Sequence, residues 1–382
     1  MDDDRRAFRV RTLSALGGPE QAIEALLAYG DKPFPPEAAA ACPAFPLEDE
    51  PQVEAWAGYL REAREQGAFA ALKQHLVQLR FPIREGISQE DEYRQATRRG
   101  IVSAAADAAE SLTLARPDRL ELVLAPTMAG RVPVLVAGDR SDFVTLVQAF
   151  SGRNEPIAVA DAMGACLVKG LNDWSRIRAH RRRWERQVGE DASDAAWTAE
   201  LARLVPSKEL YQDRFIILSR GPYSAVPGAA IGMDEAQWQE RSLVLRREHE
   251  LTHYFTYRVF GAFRNNVFDE LLADFVGLAR AFGHYRADWA LRFLGLEAYP
   301  AWRPGGRLSI YLGDPPLPDA AFPVVQTLAV RSARNLQALA EAEPGHLRDP
   351  EALGRLTFAL TCLTLEELAS DQMAPRLEPW LA

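Results

Sequence analysis

The chain predicts an α+β fold that is mostly helical. Three observations carry that reading. Apolar residues recur at helical spacing over most of the 382 residues. Strand-like alternation is confined to short runs between Leu120 and Ser219 and one over Leu308–Leu312. No apolar run approaches the ~20 residues that a membrane-spanning helix needs.

Taken in order, residues 1–31 hold a helical pattern around Glu20–Tyr29. Pro33, Pro35, Pro36, Pro43, Pro46 and Pro51 then make 32–51 too proline-dense for a helix or strand, so it reads as an extended surface linker. Residues 52–80 return to helix, with Trp56, Tyr59, Leu60, Phe69, Leu72, Leu76 and Leu79 as core. Ser88-Gln89-Glu90-Asp91 has the pattern of a capping box opening a further helix. Leu120–Leu124 and Val132–Val136, joined through Gly130, predict a hairpin. Phe143–Val147 fits strand or helix. Asp161–Lys169 reads as a buried helix, and Phe215–Ser219 as a strong short strand.

A long helix should run from Asp234 to Phe260 and stop at Gly261. A second follows over 267–282, with Phe268, Leu271, Leu272, Phe275, Leu278, Ala279 and Phe282 as its apolar stripe. A short helix over Ala287–Leu294, a strand over Leu308–Leu312 and two helices over Pro323–Ala342 and Pro350–Asp371 complete the chain. The expected organisation is a helical N-terminal region, 1–115, and a second unit, 116–382. The latter consists of a sheet-containing lobe at 116–235 and a helical lobe at 236–382.

The formal charge is −9, which gives no global attraction to nucleic acid or to anionic membranes. The N-terminus, Met1-Asp2-Asp3-Asp4-Arg5-Arg6, is acidic and lacks the apolar core of a secretory signal. Three scattered cysteines, Cys42, Cys166 and Cys362, argue against a disulfide framework. A cytoplasmic protein is expected.

Chemistry concentrates in His249-Glu250-Leu251-Thr252-His253, an H-E-x-x-H sequence inside the long helix. Four residues are slightly more than one turn, so both imidazoles leave one face about 6 Å apart along the axis. That separation suits two nitrogen ligands on one zinc ion. Glu250 is rotated by about 100° and is placed to act as a base rather than a ligand. In the second helix Glu270 and Asp274 sit one turn apart. Gly277 lies nearly a turn further on, where a small residue lets a neighbouring helix come close.

The H-E-x-x-H followed 17 residues later by E-x-x-x-D resembles the zincin metallopeptidases of the gluzincin, thermolysin-like branch. The resemblance covers about residues 245–280 and implies a zincin-like catalytic unit. In it His249, His253 and Glu270 hold one Zn²⁺ per chain, Glu250 is general base for a zinc-activated water, and Asp274 orients a ligand histidine. The extended motif of the metzincins fails, because Thr256 and Val259 stand where Gly and a third His would be. Asp269 is a rival ligand, but Ala273 beyond it offers no supporting partner. The chain departs from the gluzincin pattern in carrying Asp269 where Asn is usual. No unique match to the oxyanion-stabilising residue stands out. His284 and Tyr285 are the nearest candidates, followed by Tyr257 and Arg258. In zincins the strand before the active-site helix often edges the cleft, and the resemblance suggests such an edge within 214–232.

The resulting expectation is a zinc-dependent metallopeptidase acting on a peptide or protein substrate, with neither a membrane nor nucleic acid as partner. In the cytoplasm it needs narrow specificity, a blocked cleft or a dedicated partner. The alternative is a non-catalytic or latent zincin-fold protein with structural zinc, distinguished by a fourth protein ligand or a filled cleft. A basic run, Arg176 to Arg186 with His180, could serve RNA, phosphate or an acidic tail. In so acidic a chain it reads as a solvated helix face. Cys166 reads as a small buried thiol rather than a nucleophile.

Overall fold

A computed structural model describes residues 3–31, 44–102, 111–261, 266–313 and 315–381. Helix dominates, with one small sheet, so the fold is α+β and mostly helical. The helices are α1 Asp3–Ala15, α2 Glu20–Gly30, α3 Gln52–Gln66, α4 Ala68–His75, α5 Asp91–Arg99, α6 Arg140–Phe150, α7 Trp174–Val188 and α8 Asp194–Leu204. They continue with α9 Glu235–Phe260, α10 Val267–Phe282, α11 Ala287–Leu294, α12 Phe322–Ala342, α13 Pro344–Arg348, α14 Pro350–Thr361, α15 Leu365–Leu368 and α16 Met373–Leu381. The strands are β1 Glu121–Thr127, β2 Gly130–Val136, β3 Ala165–Asn172 and β4 Gln212–Leu218. No described helix is long and apolar enough to cross a membrane.

The chain forms two compact units. One joins Met1–Leu47 to Pro222–Ala382, and the other is Glu48–Gly221. This replaces the boundary expected at 115. The physical reason is where the apolar side chains go. Leu13, Ile23, Leu26 and Leu27 of α1 and α2 share a core with α9–α12. Trp56, Leu72, Leu76 and Leu79 share theirs with Phe143, Phe215 and Ile217 around the sheet.

In the Glu48–Gly221 unit the strand order is β1-β2-β4-β3. The β1–β2 hairpin forms in the expected place, with Leu122 opposite Leu135 and Gly130 at the turn. β4 pairs parallel to β2 and antiparallel to β3. It is therefore an interior strand, and the cleft edge expected within 214–232 is absent there. Beyond it, described residues 222–232 form short 3-10 turns rather than strand. Phe143–Val147 is helix, and Asp139 caps it by accepting from the Asp142 N–H at 3.0 Å. The helix expected over Asp161–Lys169 is instead a turn leading into β3, an outer strand with mixed exposure and a bulge between Lys169 and Leu171. Ser88 is not a helix cap: its N–H donates to Glu155 Oε1 at 2.8 Å, and Glu90 precedes α5 without a side-chain cap.

In the other unit α9 and α10 stand as expected, ended by Gly261 and Gly283 in the left-handed region. The strand expected at Leu308–Leu312 is a 3-10 turn over Arg307–Tyr311, with a single bridge from Leu312 to Asn266. The last expected helix, Pro350–Asp371, breaks after Thr361, and Thr364 recaps the chain with Glu367 in a capping box. Most of the linker expected at 32–51 lies outside the described residues, as does Cys42.

Candidate metal centre

The site is built by two helices that approach closely. Asp234 starts α9 by accepting from the N–H groups of Ala236 and Gln237. Asn266 starts α10 by accepting from the Asp269 N–H at 3.2 Å. The contact depends on Gly277, as its position suggested. A Cβ there would lie 2.9 Å from the Leu245 carbonyl oxygen, so no larger residue fits without parting the helices. Leu245 is one turn before His249, and Gly277 two turns after Glu270. The close point therefore sits on the same faces as the polar cluster.

At that face His249 Nε2, His253 Nε2 and Glu270 converge. The two ring nitrogens are 3.1 Å apart. His249 Nε2 is 3.4 Å from Glu270 Oε2, and His253 Nε2 is 3.3 Å from Glu270 Oε1. All three donor groups fall within 4.8 Å of one another, an arrangement able to hold one metal ion. Glu270 Oε2 is buried and makes no hydrogen bond. A carboxylate oxygen sealed from water in this way calls for positive charge; Arg307 Nη2 lies 3.6 Å from it, and a bound ion would add to that charge at closer range. Two imidazoles and one carboxylate form a donor set used by zinc, so the residues fit a divalent ion.

Behind the cluster, three further residues fix the His249 ring. Asp274 Oδ1 lies 3.0 Å from His249 Nδ1, so this nitrogen donates and Nε2 is turned towards Glu270. The Tyr223 hydroxyl donates to Asp274 Oδ1 at 2.6 Å and lies 2.8 Å from His249 Nδ1. Arg307 donates from Nη1 to the Tyr223 hydroxyl and from Nη2 to Asp274 Oδ2, both at 2.6 Å. Burial and the nearby Glu270 charge keep the Tyr311 hydroxyl protonated.

Burial works against every charge in this group, and the neighbours outweigh it. Desolvation pushes the His249 imidazole down, but the Glu270 charge and the Asp274 hydrogen bond hold it at about 9. Desolvation raises Glu270, yet His249 and His253 bring it well below the usual carboxylate range. Asp274 is likewise raised by burial but lowered further by Arg307. Burial raises the Tyr223 hydroxyl well above its ordinary range, so it stays a donor.

The structure thus brings together His249, His253, Glu270 and Asp274. Asp269 is buried but does not join the cluster; its N–H goes to Asn266. Glu250 is half-buried next to His249, and its carboxylate has no hydrogen-bond partner among the described residues. His284 does not belong to the site. It is exposed beyond the C-terminus of α10, with its ring against Phe282 and Trp289 and Nδ1 near the Phe282 carbonyl. Twelve residues of helix separate Phe282 from Glu270, about 18 Å along the axis. Tyr285 is buried against Phe275 with its hydroxyl unpartnered, and burial together with the Asp274 charge raises that hydroxyl well above its ordinary range.

No curated protein and no solved structure matches the chain significantly. The model of a family of unknown function (DUF7005) matches residues 11–372, nearly the whole length, and the chain belongs to that family.

Proposed function

We propose that the protein is a zinc-dependent peptidase of gluzincin type. The observation that carries this reading is the convergence of His249, His253 and Glu270 around a buried carboxylate oxygen that has no hydrogen bond. His249, His253 and Glu270 would hold the ion, which when bound supplies Lewis-acid polarisation of a carbonyl and activation of water. Asp274, steadied by Tyr223 and Arg307, keeps His249 Nε2 turned towards the ligand set.

Glu250 supplies the proton chemistry. Its carboxylate accepts a proton from the attacking water as the water oxygen bonds to the peptide carbonyl carbon. It then passes that proton to the departing amine nitrogen as the C–N bond breaks. The absence of a hydrogen-bond partner among the described residues leaves it available for this exchange. The three scattered cysteines fit a reducing compartment, and a peptidase working in the cytoplasm would need narrow specificity.

Glu250→Gln tests the assignment. The variant should retain the metal content of the native chain, measured by elemental analysis, and lose peptide hydrolysis. Undiminished turnover in that variant would overturn the reading.

A further inference from the structure

Helix α7 carries six arginines against one acidic residue, Glu185. Only part of this charge is matched. Arg181 is matched by Glu185 and Asp194, each at 2.7 Å, His180 reaches Glu200 at 3.0 Å, and Arg176 is neutralised by the buried Asp213 at 2.6 Å. Arg178, Arg182 and Arg183 have no carboxylate partner among the described residues. Arg178 Nη2 donates only to the Ser175 hydroxyl, at 2.9 Å. Where a stabilised helix would carry an acid four residues after Arg178, it carries Arg182, and four after that Arg186.

These cations line a groove of about 610 Å³ in the Glu48–Gly221 unit. Its far wall bears His75, stacked 3.9 Å over Tyr59. The acids near it are already engaged. Asp173 is fully buried, accepting from the Tyr59 hydroxyl and the Ser175 N–H, and Glu62 holds His75 Nε2 at 2.6 Å. Only Glu54 contributes a further carboxylate to the lining. Partial desolvation lowers the Arg178 guanidinium, Asp173 pulls it up, and Arg80 and Arg182 press it down again. An anion is what this face lacks.

We propose that the groove binds a small ligand bearing two or more phosphate groups. A guanidinium pairs bidentately with carboxylate and phosphate alike, but three arginines without a carboxylate partner call for more negative charge than a single carboxylate carries, which favours a ligand with two or more phosphates. The volume falls in the range of small-molecule sites, roughly 300–1,000 Å³. A long polyanion would meet the field of a chain with net charge −9, whereas a short one lies within a Debye length of the arginines alone.

Calorimetric titration of the full chain with tripolyphosphate at about 50 mM NaCl provides the test. One ligand should bind per chain. The Arg178→Gln/Arg182→Gln variant should lose affinity on the order of thirtyfold, from two charge-assisted contacts. A control with the same charge change on exposed arginines outside the groove, Arg64→Gln/Arg94→Gln, should stay within about twofold. Absence of tripolyphosphate binding, or equal losses in both variants, would overturn the proposal. So would an oligouridylate that binds more tightly than tripolyphosphate and depends on the same arginines, because the ligand would then be RNA.

Discussion

Arg307 Nη2 donates to Asp274 Oδ2 over 2.6 Å, which leaves Oδ1 of the same carboxylate for the His249 ring. One buried side chain is therefore shared between a cation that neutralises it and a histidine that it orients. Arg307→Met would strand a fully buried carboxylate, a change that costs about 3–5 kcal/mol when one partner of a buried pair is removed. It should also lower zinc affinity by about 10–100-fold, as expected when the group supporting a ligand histidine is disturbed. Denaturant midpoints and competition with a chromogenic chelator read the two effects separately. Native-like zinc affinity in folded Arg307→Met would mean that Arg307 does not position His249 through Asp274.

Gly277 sets a second requirement, on spacing. In an open helix Gly→Ala would stabilise by about 1 kcal/mol. Here the new Cβ meets the Leu245 carbonyl at 2.9 Å, and a backbone oxygen cannot step aside as a flexible side chain can. Overpacking of this kind costs about 1–3 kcal/mol, so the substitution should be net destabilising. Because the strain separates α9 from α10 near His249 and Glu270, zinc should also bind more weakly. A stabilised Gly277→Ala protein with native zinc affinity would contradict this account.

These two cases mark the boundary of what the sequence discloses. His249, His253, Glu270, Asp274 and Gly277 were legible because each spacing is one face of a regular helix, and periodicity encodes a face directly. Tyr223 and Arg307 were not. They arrive from 3-10 turns 26 residues before His249 and 33 residues after Asp274, where no period relates sequence to direction. Leu308–Leu312 imitated a strand because its apolar residues alternate, yet only Leu308 is fully buried and Ile310 is exposed. The usable signal lay just before it. Gly306 has no room for a side chain: a Cβ would lie 2.6 Å from the Leu294 carbonyl, and such a constriction holds Arg307 against the core. Likewise the unit boundary was hidden because α1 and α2 join their core through contacts more than 200 residues apart, such as Tyr29 to Val267.

Tyr29 gives that long-range contact a measurable role. Its hydroxyl accepts from the Val267 N–H at 2.9 Å and donates to the Tyr311 carbonyl at 2.6 Å, while its own carbonyl accepts from Asn266 at 3.2 Å. The residue thereby ties the start of α10, which carries Glu270, to the turn that carries Tyr311. Tyr29→Phe keeps the ring but leaves a buried N–H and a carbonyl unpaired, at about 1–3 kcal/mol for each group. A fall in the urea midpoint with unchanged m-value is expected, together with weaker zinc binding. A midpoint within experimental scatter of the native one would show that water replaces the hydroxyl at no cost.

The raised imidazole of His249 fixes the sign of one pH dependence. With metal removed by chelator, its folded-state value of about 9 stands above the ordinary 6.5. The proton therefore favours the folded chain, and its contribution is complete below pH 6.5 and lost as pH rises through 9. Glu270 and Asp274 are held below their ordinary values, so their contributions are already present above the carboxylate range and stay constant across this window. The metal-free chain should lose on the order of 3 kcal/mol of stability over that interval, the worth of the His249 shift. His249→Gln should flatten the slope. Excess zinc should reverse the trend in apparent affinity, because a cation must displace the same proton and gains as the proton becomes easier to remove. Equal slopes for the native chain and His249→Gln in chelator would show that the titrating group lies elsewhere.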